Sequence, residues 1–185
     1  MNKYLKGAVL GFTFVTLTCA TSAPVTAHSS IVAIKKASIK KLIVLEARNM
    51  GVPASLALAV AHAESNFNHH AKSPKGARGV MQIMPSTAMG EYGIEADRLW
   101  EPRINIRLGL HYLEGLIRRY NGRINLALSF YNGGSAVGNP KRAKMIPATY
   151  PYIRKVRKLQ SIYRVQLYGN RPNSSNNQSL LPHLR

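Results

Sequence analysis

The chain has 185 residues, a length typical of one domain, and its 26 lysines and arginines against seven acidic residues give a formal net charge of +19. This excess of positive charge indicates an anionic partner, and nucleic acid, lipid headgroups and the bacterial wall all qualify. Because Cys19 is the only cysteine, an intramolecular disulfide framework is excluded.

The first 27 residues are typical of a secretory signal peptide. Two lysines precede the apolar run Gly7–Thr18, which is shorter than a membrane span of about 20 residues. Small residues favour cleavage after Ala27, with a cut after Ala23, an uncleaved anchor and a lipid at Cys19 as alternatives. We therefore expect export to the periplasm, no stable membrane span after cleavage, and a mature charge of +17, since two lysines and no acid are removed.

Residues 28–38 are interpreted as a flexible lead-in to a first helix from about Ile39 to Met50. Gly51 fits the left-handed residue that commonly ends a helix. The next helix, Ala54–Ala63, is apolar almost all round, so we expect it to be buried. Its C-terminal end carries Glu64.

Residues 66–84 are predicted to form a loop region with a short β-hairpin. Helical spacing then recurs in four segments: from Pro85, from Ile104 to about Asn121, from Asn125 to Tyr131, and from Thr149 to about Gln166. The composition of 168–185 predicts a disordered tail. The expected fold is therefore one mostly helical domain over residues 39–167, with a short β-hairpin or irregular loop region.

Glu64 differs from the other acidic residues because an apolar helix delivers it towards the interior. Desolvation and the negative end of the helix dipole both raise a carboxyl pKa, which suits proton donation at neutral pH. The alternative is a structural glutamate that pairs with Arg78. The remaining acids lie in polar or amphipathic contexts that indicate solvated surface charges: Glu46, Glu91, Glu95, Asp97, Glu101 and Glu114.

Four sequence blocks carry a family resemblance. Residues 64–67 (ESNF) and 71–85 (AKSPKGARGVMQIMP) resemble the catalytic segment of the family 1, soluble-type lytic transglycosylases, whose domain has the goose-type lysozyme-like fold. The family pattern there is E-S-x-F followed by S-x-x-G-A-x-G-L-M-Q-x-M-P, from which only Val80 departs. Residues 127–134 are similar to its A-Y-N-A-G block and residues 149–156 to its E-T-x-x-Y-V block.

The resemblance implies cleavage of the β-1,4 bond between N-acetylmuramic acid and N-acetylglucosamine in peptidoglycan, with no cofactor. Glu64 is implied to protonate the glycosidic oxygen and then to act as base on the C6 hydroxyl, which closes a 1,6-anhydro ring. Ordinary glycosidases need a second carboxylate. The family instead uses the substrate's own N-acetyl group, and no second carboxylate is evident near Glu64 in the sequence.

The resemblance also implies a substrate-binding set of six residues: Ser73, Met81, Gln82, Tyr131, Asn132 and Tyr152. Ser73 is implied to contact the N-acetyl region, Gln82 to bind sugar through its amide, and Met81 to line the groove. Tyr131 is implied to hold Glu64 or the assisting carbonyl. Met81 has the alternative of a core position, and Asn132 of a helix cap.

Departures from the family pattern leave the activity open to alternatives. Ala148 stands where the E-T-x-x-Y-V block has glutamate, and Phe130 and Gly133 differ from the residues usual beside Tyr131 and Asn132. One alternative is a muramidase that uses water on the same fold. The other is a catalytically weak peptidoglycan-binding accessory protein.

No metal site is predicted, because His62, His69 and His70 lack a companion ligand pattern. The basic last helix has the composition of a nucleic-acid binder, but an exported protein meets anionic wall polymer first, so we expect no nucleic acid partner. Local wall opening for a secretion, conjugation or pilus apparatus is the biological role considered, with the tail as a partner-binding segment.

Overall fold

A computed structural model of the chain describes residues 25–169. The predicted signal peptide at 1–27 and tail at 168–185 lie almost wholly outside that range. Within it the chain forms six α-helices: α1 (Val25–Asn49), α2 (Ala54–Ser65), α3 (Pro85–Tyr92), α4 (Pro102–Arg119), α5 (Ile124–Gly133) and α6 (Tyr150–Tyr168). Short 3-10 helices occupy Ala96–Trp100, Gly134–Val137 and Pro147–Thr149. None of these described helices is long and apolar enough to cross a membrane.

The first helix is longer than the sequence pattern predicts. It begins at Val25, so the predicted start near Ile39 is wrong and residues 28–38, interpreted as a flexible lead-in, are helical. The physical reason is that no glycine or proline interrupts the backbone between Val25 and Asn49. The predicted end is confirmed, because Gly51 has a φ of 69°.

Helix α2 is the central element, as predicted. Every residue from Ala54 to Ala61 is buried. Its small side chains let it pack against α6 most extensively and against α1 as well. An apolar helix enclosed in this way leaves only its C-terminal end near the surface, and Glu64 lies there.

The loop region between α2 and α3 is irregular. Among the described residues it contains two isolated antiparallel bridges, Lys72 with Arg78 and Arg78 with Ile83, rather than strands of a regular hairpin. The buried Asn105 of α4 holds this loop: its Oδ1 accepts the Met81 amide at 2.7 Å and its Nδ2 donates to the Arg78 carbonyl at 2.8 Å. Gly79 is required beside it, because a Cβ there would lie 2.4 Å from Nδ2 of Asn105.

Glu46 is not the solvated surface charge that its amphipathic context predicts. It is only 4% exposed, and its Oε1 lies 3.0 Å from Nη1 of Arg103 on α4, with Arg107 at 3.8 Å from its other oxygen. The pairing is a consequence of the packing of α1 on α4, which helical periodicity within α1 does not reveal. This ion pair ties the two helices together.

Candidate active site

Glu64 stands in the last turn of α2, and its neighbours fasten that helix end. Ser65 Oγ donates to the Val80 carbonyl at 2.7 Å, which joins the helix to the loop region. Asn66 and Phe67 then take left-handed conformations with φ of 50° and 64°, although neither is glycine. Phe67 is 2% exposed, so its buried ring anchors this unusual turn. The three residues that follow Glu64 in the E-S-x-F motif therefore fix its position at the end of α2.

The environment of Glu64 makes it a candidate acid/base. Burial raises the pKa of Glu64 to about 7, in the direction predicted from the sequence. The Tyr152 hydroxyl donates to its Oε1 at 2.6 Å, and this bond and the charge of Lys155 act in the opposite direction on that pKa. Arg78, the alternative partner, pairs instead with Asp97 at 2.9 Å. The carboxyl is left with a neutral phenol as its hydrogen-bond partner.

Tyr152, and not Tyr131, makes the contact with Glu64 that the resemblance implied for Tyr131. The hydroxyl of Tyr131 donates to the Met81 carbonyl at 2.8 Å, so it supports the loop region, while Tyr152 contacts Glu64. Burial and the nearby carboxylate of Glu64 raise the pKa of both phenols well above their usual range. Both are therefore protonated hydrogen-bond donors at neutral pH.

An open groove passes the ends of α4 and α5. One cleft of about 210 Å3 has Gln82, Tyr131 and Asn132 on its wall. A second cleft of about 230 Å3 shares Tyr112 and Phe130 with the first and continues the groove. Aromatic rings on such a surface offer apolar faces against which sugar rings pack.

Of the six predicted substrate-binding residues, Gln82, Tyr131 and Asn132 line the groove. Met81 is 0% exposed and packs in the core against Gly109 of α4. The packing is so close that a Cβ added to Gly109 would lie 2.5 Å from the Cβ of Met81. The structure therefore places Met81 under the loop region and not on the groove, which corrects the prediction. The resemblance pointed to the right segment, but a side-chain direction depends on how that segment lies against α4.

Gln82 and Ser73 both have loop contacts of their own. Nε2 of Gln82 donates to the carbonyls of Ala71 and Gly79, each at 3.0 Å, so its amide oxygen is the atom left to face a ligand. Ser73 Oγ accepts the Ala77 amide at 3.0 Å, and a hydroxyl that accepts one bond can still donate its proton. These contacts position both side chains without using all their hydrogen-bonding capacity.

Two supporting residues were missed in the sequence. Asn105, which holds the loop region, is a polar residue between Ile104 and Ile106 in an otherwise apolar helix face, and that contrast was the available signal. Lys155 of α6 donates from Nζ to the Ala63 carbonyl at 2.9 Å, one residue before Glu64. In the sequence, Lys155 is only one of several basic residues in the last helix.

The histidines considered for a metal site are dispersed in the fold. His62 Nδ1 is 2.8 Å from the Tyr163 hydroxyl, whereas the rings of His69 and His70 contact each other at a tilt of 41°, with centroids 3.8 Å apart. Within residues 25–169, no group of three or more His, Cys, Asp or Glu side chains is arranged to hold a metal ion.

Comparison with known proteins decides the family. The family model named "Transglycosylase SLT domain" matches residues 41–152 of the chain. The chain belongs to this family. The soluble lytic murein transglycosylase of Salmonella typhimurium is 37% identical over 94 residues, which are 47% of this chain and 15% of that protein. The membrane-bound lytic murein transglycosylase F of Pseudoalteromonas translucida is 44% identical over 85 residues, 43% of this chain and 17% of that protein.

The fold comparison agrees with the family. An inactive mutant of the lytic transglycosylase Slt from Pseudomonas aeruginosa superposes with a TM-score of 0.62 at 29% identity, over 71% of this chain and 25% of that one. The predicted lysozyme-like helical fold is confirmed. The matched regions are a small part of these SLT proteins, which are several times longer than the region they share with this chain.

Proposed function

We propose that this SLT-family chain is a peptidoglycan lytic transglycosylase that cleaves the bond between N-acetylmuramic acid and N-acetylglucosamine and leaves 1,6-anhydro ends. The observation that carries the proposal is the half-buried Glu64, whose pKa is raised to about 7 and which accepts a hydrogen bond from Tyr152. The names of the relatives, all murein transglycosylases, support the same substrate.

A pKa near neutrality lets Glu64 serve in both halves of the reaction. Its protonated form donates to the glycosidic oxygen as the bond from that oxygen to the anomeric carbon breaks. Its carboxylate then accepts the proton of the muramic acid C6 hydroxyl while the C6 oxygen bonds to the anomeric carbon. The proton returns to Glu64, so the cycle closes without water, and the Tyr152 hydrogen bond stabilises the transient carboxylate.

A hydrolytic muramidase is the second candidate function. It would need a second carboxylate to act as nucleophile or as base on water. Glu91 lines the continuation of the groove and is the residue that favours this candidate. Glu91 lies on the wall of the second cleft, whereas Gln82 and Tyr131 lie on the wall of the first.

The test is to incubate the purified chain with peptidoglycan sacculi and to identify the released fragments by mass spectrometry. We expect anhydro-muropeptides from the native chain and from Glu91→Gln, and none from Glu64→Gln. Reducing-end products that carry one added water and disappear in Glu91→Gln would establish the muramidase instead. No release from the native chain would favour the accessory protein that Ala148 motivates.

We also propose that the chain acts in the periplasm and opens the wall locally for a secretion, conjugation or pilus apparatus. The signal-peptide pattern and the mature charge of +17, which matches an anionic wall, support the location. Deletion of residues 170–185 tests the tail as a partner-binding segment. We expect apparatus assembly to fail while sacculus cleavage continues, and unchanged assembly would argue against it.

A further inference from the structure

An apolar cavity lies between α1 and the last turns of α6, away from the groove. Its volume is about 420 Å3, and Val44, Leu58 and Leu167 are among the residues that line it. Leu58 stands six residues before Glu64, which is about 9 Å along α2. The cavity shares no lining residue with either cleft of the groove, so it is a separate feature of the surface.

Exposed apolar side chains border this cavity. Leu45 on α1 lines it, and Ile162 on α6 stands one helical turn before the lining residue Gln166. Val165 and Tyr168 follow Ile162 at intervals of three residues, so these three side chains are neighbours along one side of α6. In the part of the chain whose exposure the structure describes, these positions hold four of the seven exposed large apolar side chains. Apolar residues that cluster in this way mark an interaction surface.

Basic side chains surround the apolar ones. Lys41 and Arg48 on α1 are exposed and line the cavity. Lys158 on α6 is exposed one turn before Ile162. None of the three cations takes part in a salt bridge within residues 25–169. We call this surface the α1–α6 face and define it by its apolar and basic residues together: Leu45, Ile162, Val165, Tyr168, Lys41, Arg48 and Lys158.

The acidic residues of the chain lie elsewhere. All seven occupy positions 46 to 114, so α6 contains none. Glu46 is the one acid of α1, and its buried carboxylate pairs with Arg103 and Arg107 on α4. The α1–α6 face is therefore positive, with no acidic side chain of α1 or α6 free to offset it among residues 25–169, and it favours an anionic partner.

The position of the apolar residues favours an extended surface as that partner. Ile162, Val165 and Tyr168 are exposed on α6 and do not line the cavity. A small ligand confined to the cavity would leave these side chains in water. A flat apolar boundary that also carries negative charge would cover them and would contact the basic residues at the same time. A bilayer of anionic phospholipids has this composition.

We propose that the α1–α6 face binds the surface of an anionic phospholipid membrane. The apolar side chains enter the boundary between headgroups and acyl chains, and the lysine and arginine side chains contact the lipid phosphates. The active site stays free in this arrangement. Tyr152, which donates to Glu64, precedes Gln166 by 14 residues, or about 21 Å along α6. Membrane binding is therefore independent of the reaction at Glu64.

The test measures how the mature chain, which cleavage after Ala27 leaves, partitions between buffer and sedimented vesicles. The vesicles contain either phosphatidylcholine alone or phosphatidylcholine with phosphatidylglycerol. We expect the native chain to bind the anionic vesicles, to bind the neutral ones much more weakly, and to dissociate as the salt concentration rises. The mature chain is used so that the apolar run of the predicted signal peptide cannot contribute to binding.

Two sets of substitutions test the charge. The face variant removes three cations: Lys41→Gln, Arg48→Gln and Lys158→Gln. The matched control removes the same charge from exposed positions outside the face: Lys75→Gln, Lys141→Gln and Arg142→Gln. We expect the partition coefficient on anionic vesicles to fall about 100-fold in the face variant and to stay within about three-fold in the control. Equal losses in both sets would overturn the proposal, because they would indicate attraction by net charge alone.

Insertion of the apolar side chains is tested at the exposed Val165. Val165→Gln should reduce the partition coefficient about five-fold, whereas Met89→Gln, at a similarly exposed position outside the face, should not change it. Val165→Trp adds a reporter, and we expect brominated phospholipids to quench its fluorescence. The native Trp100, in the 3-10 helix Ala96–Trp100, is outside the face and should stay unquenched. A Val165→Trp variant that is quenched no more than the native chain would overturn the proposal.

The remaining outcomes separate membrane binding from other roles. A native chain that binds neither kind of vesicle, or that binds both equally well, would overturn the proposal. If the face variant then bound sacculi more weakly than its matched control, the face would belong to the wall polymer instead. Vesicle binding without cleavage of sacculi would support the membrane face and refute the proposed function, whereas cleavage without vesicle binding would do the reverse.

Discussion

The buried Glu46 on α1 and the half-buried Glu64 on α2 occupy contrasting surroundings. Glu46 is paired with the guanidinium groups of Arg103 and Arg107, whereas Glu64 accepts a hydrogen bond from the neutral Tyr152. The first contact binds two helices together, and the second leaves a carboxyl whose pKa of about 7 suits proton transfer. The comparison teaches that burial alone does not make an acid/base residue: the kind of partner decides.

The largest expected effect is on peptidoglycan cleavage, which should fall in Glu64→Gln and not in Glu46→Gln. Glu64→Gln keeps the shape of the side chain but cannot cycle a proton, so we expect release of anhydro-muropeptides to fall by about 10²- to 10⁴-fold. Glu46→Gln should retain activity per folded molecule within about three-fold, because the carboxylate of Glu46 pairs with arginines of α4 and makes no contact with Tyr152. Equal losses in the two variants would contradict the comparison.

The free energy of unfolding should change in opposite directions in the two variants: it should fall in Glu46→Gln and, above neutral pH, rise in Glu64→Gln. Glu46→Gln loses an ion pair whose arginines are themselves exposed, so we expect a loss of about 1–2 kcal/mol in the free energy of unfolding by urea denaturation.

Glu64→Gln should instead stabilise the fold above neutral pH. Because the folded pKa of Glu64 is raised from 4.5 to about 7, stability is lost as pH rises through that window. Removing the carboxyl should therefore add about 3 kcal/mol at pH 8 and almost nothing near pH 4. A constant difference between the native chain and Glu64→Gln across this range would exclude the raised pKa.

The partner of Glu64 is tested by Tyr152→Phe. Loss of this hydrogen bond should reduce kcat/KM about ten-fold. Since the bond lowers the pKa of Glu64, its removal should also move the basic limb of the pH–rate profile to higher pH. Tyr131→Phe is the control, because its hydroxyl contacts the Met81 carbonyl and not the carboxyl. A larger shift of the limb in Tyr131→Phe would assign the role back to Tyr131.

The smallest effect is expected from Lys155→Gln. Lys155 is exposed and its charge lowers the pKa of Glu64 from a distance, so the basic limb should move to higher pH by less than in Tyr152→Phe. Lys155→Arg should restore the native profile, since it keeps the charge. Titration of activity at low and high salt provides the measurement, and a downward shift would contradict it.

Most helix positions, and the place of Glu64 at the end of a buried helix, could be predicted from the sequence. The apolar run before Glu64 predicted a buried helix with a carboxyl at its end, because periodicity and local composition express burial directly. The motifs identified the SLT family. The predicted start of α1 was too late because the mixed composition of residues 28–38, which has three serines but no glycine or proline, is compatible with both helix and flexible chain.

The sequence by itself determined the helical class, the family and the position of Glu64 at the end of an apolar helix. Only the tertiary structure decided that Tyr152 holds the carboxyl, that Met81 is in the core, that Glu46 is buried, and that α1 and α6 line one apolar cavity. These contacts join residues from different helices, and their geometry depends on how the helices pack. Local sequence specifies which face of a helix is apolar, whereas the partner of a polar side chain is specified by packing between elements.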